Sequence, residues 1–213
     1  LSDPNNDDLV KNVTASEPVH YVNNSDTTVV IVDCGVKYGI IRNLLAAGTN
    51  VVRVPYDYSV DDILEFEPRG IVISNGPGDP KKCGTTIDTT RDLLDTEIPV
   101  MGICLGMQIL ALAAGGDTYK LKFGHRAVNH PCLDLKTGRC YITTQNHGYT
   151  VSMDSISQTE FEVSHVNIND KTVEGIRHKT KNILGIQWHP ESSPGPYDTQ
   201  FFFDSFAKET GRH

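Results

Sequence analysis

An α/β fold is predicted for this chain: an open, mostly parallel, twisted sheet with helices on both faces. Three observations predict it. Short β-branched runs alternate with helix-length segments between residues 28 and 116. The first run, Val29 to Val32, is continuously β-branched and apolar, as a strand buried on both faces is. Most of the segments end at a Gly or Pro, the punctuation expected of successive βαβ units.

Val29-Val30-Ile31-Val32 is the first such run, and Gly35 closes it. Tyr38 to Ala47 reads as a helix ended at Gly48. Val51 to Val54 is the second strand, stopped by Pro55, and Asp61 to Phe66 is a short helix. Gly70 to Ser74 is the third strand and runs into Asn75-Gly76-Pro77-Gly78-Asp79-Pro80. Thr85 to Leu94 is helical, Pro99 to Ile103 is the fourth strand, and Leu105 to Ala114 is a helix ended by Gly115-Gly116. Beyond Gly116 the texture changes. Short, turn-rich segments around Cys140 to Thr143, Phe161 to Val166 and Gly175 to Arg177 suggest hairpins inserted beside the main sheet. Ile183 to Trp188 is a late strand and Thr199 to Ala207 a terminal helix. Residues 1–27 are polar, rich in Asn and Asp, and expected to be a linker or an edge segment. That leaves 28–213 as the main domain.

The 213 residues carry 27 acidic against 19 basic side chains, a net charge of −8, which argues against nucleic acid or an anionic membrane as main partner. The longest strongly apolar stretch, around Val100 to Ala114, is broken by glycines and too short to span a bilayer. No N-terminal secretory pattern is present. The five cysteines are odd in number and form no CxxC pair, so a reducing, cytoplasmic setting is expected rather than a disulfide framework.

Two constellations carry chemistry. Gly102-Ile103-Cys104-Leu105-Gly106 places one cysteine at a strand-to-helix junction within a small-residue frame. Such an elbow holds a nucleophile out of the sheet, at a helix N-terminus that favours thiolate. The N–H of Leu105 would then face a developing oxyanion. The bland alternative is a core cysteine beside a tight turn. His189-Pro190-Glu191 follows the late strand. Residues two apart in extended chain share a side, so His189 could be the base and Glu191 its orienter. Both constellations fall at carboxyl ends of predicted parallel strands, where open α/β sheets place their sites.

Two loops could serve that centre. Ser74 to Pro80 is stiff and exposes backbone N–H groups, a possible second oxyanion donor. Gln145-Asn146-His147-Gly148-Tyr149 has the character of a substrate-recognition loop near a turn. No GxxxxGK[ST] phosphate loop exists. His125 and His130 near Cys132 match no zinc spacing, and no metal is expected.

These motifs resemble the class I glutamine amidotransferases. GICLGMQ around Cys104, the SNGPGDP loop and His189-Pro190-Glu191 carry the resemblance. Within that family, DCGVKYGIIRNL from Asp33, KLKFGHRAVNHP from Lys120, QNHGY from Gln145 and HPESSPGPYDT from His189 look like the carbamoyl phosphate synthetase small-subunit or glutaminase group. The resemblance covers about residues 28–207. It implies a triad of Cys104, His189 and Glu191. It implies that Gly76, Gly78, Leu105, Gln108, Asn146, Gly148 and Tyr149 bind glutamine or the oxyanion. It implies no cofactor in this chain, with ATP and Mg on a partner: the large synthetase subunit or fused synthetase domains.

The sequence departs from the group in three places. Met107 stands where His is common, and Gly39 where Asn is common. The group's N-terminal domain, which lends a residue to the glutamine pocket, is not found here, and Asp3-Pro4-Asn5 resembles the tail of the connection to it. The chain is therefore expected to be an excised domain with weak glutamine affinity on its own. Other readings stay open: an amidotransferase of a CTP, GMP or anthranilate-type synthetase, a cysteine peptidase or γ-glutamyl hydrolase, or a non-catalytic glutamine-binding or docking module.

Overall fold

A computed structural model of the chain describes residues 7–211. Among them, the strands are β1 (Val19–Tyr21), β2 (Thr28–Asp33), β3 (Asn50–Pro55), β4 (Gly70–Ile73), β5 (Val100–Ile103), β6 (Thr118–Asp134), β7 (Cys140–Val151), β8 (Phe161–Asn167), β9 (Val173–His178) and β10 (Ile183–Ile186). The helices are α1 (Tyr38–Ala46), α2 (Val60–Leu64), α3 (Gly84–Leu94), α4 (Leu105–Ala113), α5 (Met153–Ile156) and α6 (Phe201–Thr210).

The ten strands form one sheet in the order β1-β3-β2-β4-β5-β10-β9-β8-β6-β7. Its heart, β3-β2-β4-β5-β10, is parallel. Each of these strands is short and apolar, and alternate residues face opposite layers. In β2, Val29 and Ile31 pack with Ile40 and Leu44 of α1 and Phe203 of α6. Val30 and Val32 face the other layer, with Ile63 of α2, Leu93 of α3 and Leu110 of α4.

The second half of the chain differs from expectation. Strands β9, β8, β6 and β7 are not a separate set of hairpins; they continue the same sheet antiparallel from β10. Strand β6 starts at Thr118 and runs for 17 residues where no strand is predicted. The reason lies in its register. Irregularities fall between Lys120 and His125 and between Ala127 and His130, and each interrupts the period-two pattern that reveals a strand. Gln145 to Tyr149 likewise lies inside β7 rather than in a loop.

Described residues from the N-terminal segment behave as an edge. Strand β1 pairs antiparallel with β3, and Val10 is fully buried. The buried Asp33 carboxylate accepts from Ala15 N at 2.7 Å and pairs with Arg53 at 2.5 Å. Asp3-Pro4-Asn5 lies outside the described residues. Among the described residues no helix is long and apolar enough to cross a membrane.

Candidate active site

Strand β5 ends in a sharp elbow. Cys104 caps α4 with φ 54° and ψ −102°, a region costly for any residue with a side chain. The flanking glycines make the turn possible. A Cβ on Gly106 would lie 2.0 Å from the Ile73 carbonyl oxygen, and one on Gly102 would lie 2.6 Å from that of Gly106. Cys104 N donates to Ile186 O at 2.8 Å, which fastens the elbow to β10. The sulfur thus stands at the start of α4, where free N–H groups and the helix dipole favour an anion.

Because β10 lies parallel beside β5, the chain leaving β10 arrives next to this elbow. His189 N donates to Thr144 O at 2.9 Å, and His189 Nδ1 donates to Glu191 Oε1 at 2.7 Å. Both side chains are buried. The Cys104 side chain also acts on the ring, and with Nδ1 engaged by Glu191 the nitrogen left to face it is Nε2. Burial disfavours the imidazolium, but the Cys104 sulfur and then the Glu191 carboxylate outweigh it and push His189 up to about 10. Burial alone would raise Glu191; the hydrogen bond and charge of His189, with Lys37, hold it below its ordinary value. Lys37 Nζ lies 3.4 Å from Glu191 Oε1 and 3.3 Å from His189 Nδ1.

A cavity of about 440 Å³ opens onto Cys104. All seven residues expected to contact glutamine line it, joined by Pro77, Lys120, Arg126 and His147. A Cβ on Gly76 would lie 2.1 Å from Cys34 O, so only glycine fits there. Gln108 does not point freely into the cavity. Its Nε2 donates to Tyr149 O at 2.8 Å and to Gln187 Oε1 at 2.9 Å, and Gln187 Nε2 in turn donates to Cys104 Sγ at 3.6 Å.

Sequence reasoning assigned no role to Gln187 or Lys37. Gln187 sits two residues before His189 on the same extended segment, so the period-two rule that paired His189 with Glu191 could have found it. Lys37 carried no such signal, since it comes from the turn after β2. The two departures resolve differently. Met107 is fully buried against Gly185 in the core, away from the cavity. Gly39 lies against Glu191, where an added Cβ would sit 3.0 Å from Glu191 Cγ.

Behind β7 lies a second buried polar cluster. His125, His147 and Glu174 bring possible ligand atoms within 4.8 Å of one another. The Gln145 carboxamide oxygen occupies their midst, 2.8 Å from His125 Nδ1 and 2.9 Å from His147 Nε2, while its Nε2 donates to Glu174 at 2.8 Å. Glu174 raises His125 to about 9 against the effect of burial, and Asp170 assists. The Gln145 carboxamide thus knits the three side chains into a hydrogen-bonded cluster. Burial pushes His147 down to about 3. As a neutral ring with one N–H, His147 can donate either to Tyr149 O at 2.7 Å or to Gln145, not to both.

The chain is 48% identical over 206 residues to the carbamoyl phosphate synthase small chain of Methanopyrus kandleri, covering 97% of this chain and 56% of that one. It is 49% identical over 208 residues to the protein of the same name from Methanocaldococcus jannaschii, covering 97% and 58%. The chain thus spans a little over half the length of these curated relatives. The fold matches a crystal structure of a candidate GMP synthase subunit from Thermoplasma acidophilum, with a TM-score of 0.74 at 21% identity, covering 87% of this chain and 94% of that one. The family described as glutamine amidotransferase class-I matches residues 30–209, and the chain belongs to that family.

Proposed function

We propose that this chain is the glutaminase part of a glutamine-hydrolysing carbamoyl phosphate synthetase. The observation that carries the proposal is the buried Cys104–His189–Glu191 line opening onto a polar cavity. The names of its relatives supply the synthetase.

In this reading His189 holds the Cys104 proton, and the thiolate attacks the side-chain amide carbon of glutamine. Backbone N–H groups of Leu105 and Gly78 hold the oxyanion, each donor contributing about 3 kcal/mol. As the intermediate collapses, His189 protonates the departing nitrogen and ammonia leaves. Water, losing its proton to His189, then cleaves the thioester, releasing glutamate and restoring the thiol. Glu191 orients and stabilises the imidazolium throughout. Ammonia passes to an ATP- and Mg-using synthetase, either a large subunit or fused domains, in the cytoplasm.

A glutamine-analogue chloroketone that alkylates active thiols tests the proposal. The expected result is one adduct on Cys104, mapped by mass spectrometry and blocked by glutamine. Labelling spread over Cys34, Cys83, Cys132 and Cys140 without protection would overturn it.

A further inference from the structure

Helix α6 covers only part of the sheet face on which it lies. Its Phe202, Phe203 and Phe206 pack with Val72 of β4 and Met101 of β5. Beyond the helix, β8, β9 and β10 set Glu162, Arg177 and Leu184 side by side, because Arg177 pairs with Glu162 on one flank and with Leu184 on the other. Leu184 packs against the α6 layer, so the row shares that face. Between the row and the helix lies a cavity of about 530 Å³, the size of a small-molecule site. It shares no lining residue with the cavity at Cys104. It reaches Val100 and Ile183, the first residues of β5 and β10, whereas Cys104 and His189 lie beyond the far ends of those strands.

One wall of the cavity is aromatic. Phe201, 41% exposed, stacks on Phe202 with ring centroids 4.6 Å apart, and Phe206 continues the shelf along α6. The other wall is cationic. Arg177 Nε donates to Glu162 Oε1 at 2.6 Å, which holds the guanidinium in place and leaves its two terminal nitrogens without a hydrogen bond among the described residues. Lys136, exposed in the turn between β6 and β7, adds a second charge that has no hydrogen bond or ion pair among them. Two further lysines of the lining point elsewhere: Lys179 Nζ donates to Thr159 O at 2.6 Å and Lys181 Nζ to Leu94 O at 2.8 Å. Of the two acids that line the cavity, Glu162 is engaged by Arg177 and Glu209 stands at the far end of α6. His178 stiffens the turn between β9 and β10, its Nδ1 accepting from Thr180 N at 3.2 Å and Lys181 N at 3.0 Å.

We propose that this cavity is a second ligand site, which binds a small aromatic anion: the ring against Phe201, Phe202 and Phe206, and a carboxylate or phosphate on Arg177 and Lys136. The outer edge of a guanidinium offers two parallel N–H donors that match either group. Stacked aromatic side chains take a flat ring in offset or edge-on contact. The protein carries its own reporter of occupancy. Phe202 also touches Trp188, with ring centroids 5.6 Å apart, and Trp188 is fully buried and the only tryptophan in the sequence.

The test titrates the full chain with phenyl phosphate and with benzoate, and, as controls, with inorganic phosphate and with benzyl alcohol. Calorimetry measures affinity, and Trp188 emission reports where the ligand sits. At least one of the two aromatic anions should bind about 10-fold or more tighter than either control, since only it uses both walls, and the tighter of the two names the anionic group. Binding should shift Trp188 emission in step with the heat. R177Q should weaken it by about 10-fold, the effect of losing a charge-assisted hydrogen bond. E162Q should tighten it by freeing the guanidinium, and S205Y should block it by filling the groove beside Phe202. Circular dichroism confirms that each variant is folded. No binding by either aromatic anion overturns the proposal. So does a control that binds as tightly, binding that leaves Trp188 emission unmoved, or a folded R177Q of unaltered affinity.

Discussion

His189 carries the most informative charge in the molecule. Its raised value, about 10, depends on its two neighbours, the Cys104 sulfur first and the Glu191 carboxylate second. Removing the Glu191 charge by Glu191→Gln should lower that value, so the alkaline limb of kcat/KM for glutamine should move to lower pH; an unmoved profile would deny Glu191 its role. The same shift has a stability consequence with a definite sign. A histidine whose folded value exceeds its unfolded one, about 6.5, stabilises fully below pH ~6.5 and loses that contribution as pH climbs through about 10. Cys104→Ser should abolish glutamine hydrolysis and leave the circular dichroism spectrum unchanged, because a hydroxyl fits the same elbow. These residues were legible in the sequence, since each has a chemistry of its own and lies within two residues of a Gly or Pro that fixes the turn. Gln187 and Lys37 were not, because an amide and a lysine acquire meaning only from what folding brings beside them.

Individual elements divide along the same line. Strands β2 to β5 were readable to within a residue or two because burial on both faces leaves short, largely apolar runs that end at a Gly, a Pro or a turn. Strand β6 was not, because its bulges scramble the alternation, and only its pairing with β7 and β8 reveals it. The close packing of α4 on β4 gives a sharp test: Gly106→Ala would force a methyl against Ile73 O and should cost about 2–3 kcal/mol, seen as a lower denaturation midpoint. In the antiparallel half, stability centres on Glu174, which is fully buried and bonded to Gln145 and Asn167 and paired with His125. Glu174→Ala leaves His125 with Asp170 as its remaining charge partner and should cost about 3 kcal/mol, measurable in urea. An unchanged midpoint would mean that the cluster contributes nothing.

At the scale of the whole molecule, the elbow and the Gly76–Gly78 side of the cavity belong to the parallel half, and the wall facing them, from β6 and β7, to the antiparallel half. Adding the synthetase partner should therefore lower the KM for glutamine if it steadies one half against the other; a KM indifferent to the partner would argue against coupling through the pocket. Strand order also bears on how the chain comes into being. Strand β10 lies between β5 and β9, yet it is the last strand to be made, some eighty residues after β5. On the ribosome both neighbours exist first, each with a bare edge of unpaired N–H and C=O groups facing a gap. The sheet can join only when residues 183–186 slide in between, and the same event brings His189 to Cys104. A nascent chain stalled before that point would hold two half-sheets prone to stick to others, and it would have no triad.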